Sequence, residues 1–154
     1  MGREKLNGLF EGAARELGFA AGVKLDERGS CTLRSQTRGM PLVHLHYDEK
    51  NDLLDVFAEI GHVPHDKQDL YLEFLCDNLF GHGTKGATFA ASKETGRIVL
   101  QRSVAVDPID DASFLAAVLA DFAEVAYAAR QRLFATDEPS AQEKPPADFL
   151  SVRA

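Results

Sequence analysis

The sequence contains no tryptophan and only two cysteines in 154 residues. Cys31 and Cys76 are far apart and match no metal-ligand or redox spacing. Cys76 lies in an apolar stretch and reads as a small hydrophobe carrying a reduced thiol. The opening Met1-Gly2-Arg3-Glu4-Lys5 leads into no apolar run of signal-peptide length, and no segment is expected to approach a membrane span. Positive charge is also scarce: 17 Lys and Arg against 24 Asp and Glu leave a net charge of −7. A surface that neutralises phosphates needs the opposite balance, so the composition argues against nucleic acid as a partner. It is compatible with a basic or neutral polypeptide. No internal repeat is present. A soluble, intracellular chain with one domain and a real core is expected.

What the sequence does have is an excess of apolar surface on one short stretch. Residues 66–80, DKQDLYLEFLCDNLF, run straight into Gly81-His82-Gly83. Drawn as a helix at about 100° per residue, Asp66, Asp69, Glu73 and Asp77 fall in one narrow acidic stripe. Apolar side chains take almost everything else. A surface helix of a small domain turns roughly a third of its circumference to the core, so this one needs covering on two sides. Its own sheet is one cover. A second copy of the chain is the expected other, since so short a chain has little material to spare; complete burial within its own domain is the alternative. The acidic stripe reads as the solvated face, with Asp66 as N-cap or as a favourable charge on the helix dipole.

Around this helix the periodicities set the remaining elements. Residues 3–17 carry Leu6, Leu9, Phe10, Ala13 and Leu17 at helical spacing, with Gly18 as the stop. Gly8 and Gly12 each weaken that helix by about 1 kcal/mol relative to Ala, which close packing against a neighbour would explain. Strands are expected at 31–35, 42–47 and 53–60, separated by turns at Arg38-Gly39 and at 48–52. Leu54, Val56, Ala58 and Ile60 alternate with Asp55, Phe57 and Glu59, the pattern of an antiparallel sheet with one buried face. A hairpin follows at 87–91 and 97–104. Asp110 or Asp111 then caps a long helix reaching Phe134. The order is α-β-β-β-α-β-β-α, an α+β fold with helices packed on a twisted antiparallel sheet over residues 1–134. Residues 135–154 are rich in proline and charge and read as a disordered tail. It ends in Phe149-Leu150-Ser151-Val152, an apolar cluster suited to docking on a sheet edge.

No catalytic set stands out. His44 and His46 share one face of a strand about 7 Å apart, close enough for a common metal, with His62, His65 or His82, and Asp48 or Glu59, as further ligands. The compact helical spacing of H-E-x-x-H is missing, so the histidines read first as solvent-side strand and loop residues. Gly81-His-Gly-Thr-Lys-Gly86 fails as a phosphate loop, because it follows a helix and precedes a strand. No cofactor and no metal are expected.

Three passages and the last helix resemble a known family. Asp52-Leu-Leu-Asp-Val-Phe-Ala-Glu-Ile-Gly-His-Val-Pro64 is similar to a third strand with its glycine-x-x-proline exit. Leu72-Glu-Phe-Leu-Cys-Asp-Asn-Leu-Phe80 resembles an "L-L-x-A-N-L-F" helix, with Cys76-Asp77 displacing the usual small residues. Residues 86–102 resemble a "G-x-L-x-x-x-x-x-T-G-x-x-x-L-x-x" hairpin, and the helix from Asp111 matches in place and length. Over about residues 4–134 the chain looks like the class I chaperones of type III secretion, the family named for the Tir chaperone. The resemblance implies a non-enzymatic, cytoplasmic homodimer that holds the extended N-terminal segment of secreted effector proteins. It places the dimer on Leu70, Leu72, Leu75, Cys76, Leu79 and Phe89. Client contacts would fall on Leu6, Leu9 and Phe10 of the first helix and on Leu33, Val43, Leu45 and Phe57 of the strands. Two other readings stay open: a YbjN-like regulatory or protein-docking module without a secretion client, and a metal-dependent enzyme built on His44 and His46.

Overall fold

Arg3–Glu16 forms helix α1 in the computed structural model, which describes residues 2–17, 23–135 and 152–153. Its helical stripe puts Leu6, Phe10, Ala13 and Ala14 into the core. Gly12 has the packing reason its position demanded. A Cβ there would lie 2.6 Å from the Cβ of Ala112, so the helix passes the start of the last helix in close contact. Among the described residues nothing lies within 4 Å of a Cβ at Gly8, and no packing there explains it. The expected stop at Gly18 lies outside the described residues.

Five strands follow in the expected sequence: β1 (Ser30–Ser35), β2 (Val43–Asp48), β3 (Leu53–His62), β4 (Thr88–Ala91) and β5 (Arg97–Ala105). A sixth, β6, is the two residues Val152–Arg153 at the far end of the chain. The sheet order is β4-β5-β3-β2-β1-β6, and every neighbouring pair is antiparallel. Period-2 alternation decides its two faces. Leu54, Val56, Ala58 and Ile60 are fully buried, with Val43, Leu45 and Tyr47 beside them on β2. The register shifts between Glu59 and Gly61, where β3 bulges beneath Leu133.

Helix α3 (Ala112–Phe134) starts where expected: the Asp111 carboxylate accepts a hydrogen bond from Ser113 N at 2.9 Å. By length and apolarity alone α3 is long enough to cross a membrane, contrary to the expectation that no segment approaches one. Its apolar surface has a closer partner. Leu115, Leu119, Phe122, Ala126 and Leu133 are among its ten buried residues, in one core with α1 and the inner face of the sheet.

Helix α2 departs most from its sequence reading. The stretch 66–80 is not one helix: a 3-10 turn at His65–Lys67 precedes α2 (Asp69–Asp77), and a second at Leu79–Gly81 follows it. Asp66 makes no side-chain cap; the residues before the turn and the helix are Pro64 and Gln68. Phe80, at φ 63°, turns left-handed and ends the helical path. Nor is α2 central. It lies on the outermost strand β4 and fully buries only Phe74, whose ring meets that of Phe89 at 4.8 Å.

Candidate functional site

The unpartnered side of α2 is the first surface. Leu72, Leu75, Leu79 and Phe80 are 65%, 56%, 68% and 81% exposed, and Cys76 is exposed beside them. The two-sided apolar surplus read from the sequence is real, but among the described residues only one side is covered. Cys76 is therefore not the buried hydrophobe expected. The acidic stripe is not simply solvated either. Arg132 of α3 pairs with both Asp77 and Glu73 while its guanidinium sits 4.4 Å from the Phe74 ring centre. That clamp orients α2 so that its other side faces outward.

Asn78 completes the attachment, a role with no separate signal in the sequence. Its amide nitrogen donates to Phe89 O at 2.8 Å, and its amide oxygen accepts from Phe89 N at 2.6 Å. The side chain thereby acts as a strand partner for β4. The glycine-rich segment after it is a structural turn. Thr84 is fully buried and donates to Gly81 O, while Lys85 reaches Glu124 at 2.7 Å and Asp121 at 3.0 Å on α3. Those two carboxylates, Glu124 first, hold the Lys85 ammonium above its usual pKa.

The second surface is the outer face of the sheet, where a shallow depression of about 650 Å3 runs across β1, β2, β3 and β5. His44 Nδ1 is 3.0 Å from Thr32 Oγ1, and His46 Nδ1 is 3.1 Å from Ser30 Oγ. The His44 ring also stacks on Phe57 with centroids 5.0 Å apart. The remaining candidates for a metal shell are engaged elsewhere. Glu59 pairs with Arg97, which also donates to His62, and Asp48 caps its own turn at Lys50 and Asn51. Among the described residues no three His, Cys, Asp or Glu side chains group as metal ligands. The sequence had brought His44 and His46 to one face, and the structure gives each a hydroxyl partner there.

The seven residues expected to touch a client are divided by this geometry. Leu6, Phe10, Leu33, Val43 and Leu45 are all less than 7% exposed and belong to the core. They offer no surface, because alternation and helical spacing point them at α1, α3 and the inner sheet face. Leu9 is partly buried against that core, and Phe57, at 38% exposed, stands on the open outer face. Of the six residues expected at a dimer contact, Leu72, Leu75, Cys76 and Leu79 lie on the open side of α2. Leu70 is half-buried against the core, and Phe89 is buried beneath Phe74.

The third surface is the outer edge of β1, which carries β6. The described residues thus set a helix on β4 at one end of the sheet and two helices across its inner face, and none of their helices covers the outer face. The sequence profile of the Tir chaperone protein (CesT) family matches residues 8–130, from α1 through most of α3. The chain belongs to this family. No curated protein matches the sequence, but solved structures do. A chain of the ExsC–ExsE complex superposes with a TM-score of 0.67 at 20% identity, over 85% of this chain and 95% of the other. A chain of the HopA1–SchA chaperone–effector complex gives 0.64 at 16%, over 82% and 93%. One from the Yersinia pestis type III secretion chaperone SycH in complex with a stable fragment of YscM2 gives 0.59 at 23%, over 79% and 97%. At such identities these likenesses concern the fold, and they confirm the α+β arrangement of a Tir-family chain.

Proposed function

We propose that this protein is a non-enzymatic export chaperone of type III secretion. It acts in the cytoplasm as a homodimer and holds the extended N-terminal segment of a secreted effector. Family membership over residues 8–130 is the observation that carries the reading. The surfaces support it: they suit polypeptides better than small molecules. The exposed Leu72, Leu75, Leu79 and Phe80 form an apolar patch of the kind soluble monomers rarely leave open, and a second copy is the occupant favoured here. The outer sheet face with Phe57, and the β1 edge, suit an extended client that adds main-chain hydrogen bonds and seats alternate side chains.

The test is co-expression with candidate secreted proteins from the same genome, followed by purification and light scattering. A particle of twice 16.8 kDa that carries the N-terminal segment of one candidate is the expected result. A protein that captures none of them, whatever its mass, would leave the reading without a client and favour a docking module of another kind.

A further inference from the structure

β1 has one edge paired to β2 and the other paired to the chain's own end. On that outer edge Arg34 stands opposite Arg153, and Ser35 opposite Val152. The alternation of an antiparallel ladder says which groups are offered there. Tyr47 N donates to Gly29 O at 2.8 Å, so Cys31–Leu45 and Leu33–Val43 take the following hydrogen-bonded positions toward β2. Ser30, Thr32 and Arg34 therefore turn their backbone groups outward. Asp26 N takes the Ser30 carbonyl at 2.8 Å, closing one end of the edge. β6 meets the other end, at Arg34.

We infer that the outer edge of β1 is a strand-docking site whose resident occupant is the chain's own C-terminal segment, which an incoming extended polypeptide displaces. The pairing is two residues long, and a strand that short has little stability of its own. Attachment through residues 136–151 compensates, because a short tether supplies an effective concentration of order millimolar. The result is an edge shielded from indiscriminate pairing yet open to a better strand. A client that pairs with Thr32 as well as Arg34 forms more ladder bonds than the two residues it replaces. The nature of that displacing partner rests on the export-chaperone reading; self-occupancy of the edge does not.

The experiment uses the full chain with Val152→Pro and Arg153→Pro. Proline lacks the N–H a strand donates and is excluded from paired strands. Circular dichroism and urea unfolding of the variant, expected to match the unaltered chain, check that the fold is kept. The probe is a dye-labelled peptide, ADFLSVRA, copied from residues 147–154. It is expected to bind the proline variant about tenfold or more tightly than the unaltered chain, where the tethered copy competes. Amide exchange at Arg34 should also quicken about tenfold in the variant, as an edge group loses its partner. Equal binding to the two chains, binding to neither, or unchanged exchange at Arg34 would overturn the inference. No secreted protein enters this measurement. Its failure leaves the export reading intact, and a failed co-purification beside a positive peptide result removes the export reading alone.

Discussion

At the scale of single residues, two contacts have outsized consequences. Tyr47 donates its hydroxyl to Asp52 at 2.7 Å, across the β2–β3 turn where Asp52 itself is left-handed at φ 51°. The bond pushes the Tyr47 hydroxyl up from 10.0 to about 12 and, as the first cause, holds the Asp52 carboxyl below its usual 3.8. For Tyr47 the raised value means stability that is complete below pH 10 and lost as pH climbs toward 12. For Asp52 the lowered value means stability present above pH 3.8 and lost as pH falls through the depressed value. Tyr47→Phe should therefore flatten the pH dependence of the melting temperature at both ends, measurable by circular dichroism from pH 3 to pH 12. Asn78 is the second. Asn78→Ala removes both bonds to Phe89 and leaves half-buried backbone groups without them, so urea unfolding should report a loss of about 1–3 kcal/mol. Neither role was visible in the sequence. An Asn inside an apolar motif has no pattern that says which strand it will imitate.

At the scale of elements, the contacts between helices give separable predictions. α1 and α3 touch where Gly12 meets Ala112, with no room for another methyl. Gly12→Ala should destabilise the protein by about 1–3 kcal/mol despite its gain in helix propensity, and Ala112→Gly in the same chain should recover most of the loss. Recovery measured by urea unfolding would establish steric contact as the cause. α2 behaves differently because its open side meets none of the other described elements. Leu75→Asp with Leu79→Asp should leave the helical signal intact while light scattering shows the dimer mass halved. A dimer that survives both changes would place self-association elsewhere. The apolar surplus of 66–80 was legible because composition alone exceeds what one cover can take. The broken helical path was not. It depends on the left-handed Phe80 and on the Arg132 clamp from an element some 55 residues later in the chain.

At the scale of the whole molecule, the division between core and surface decides which substitutions report on function. Phe57→Asp on the open sheet face should abolish capture of a secreted partner while the dimer persists, read by co-purification and light scattering together. Leu45→Asp is no such probe. Its side chain is 1% exposed, and an unpaired buried carboxylate should unfold the domain. Both residues lie in the strands that the sequence predicted, and Leu45 pairs with Val56, the neighbour of Phe57, so alternation puts the two on opposite faces. The sequence by itself determined the order of elements, the alternation of the sheet, the cap at Asp111 and the family likeness, because these are set by local periodicity and short-range chemistry. Only the tertiary structure decided which apolar residues remain exposed, that α2 sits at the β4 edge, and that the chain's end lies on β1. The reason is physical: burial depends on what a side chain meets from distant parts of the chain, and periodicity records the face it points to but not whether that face finds a partner.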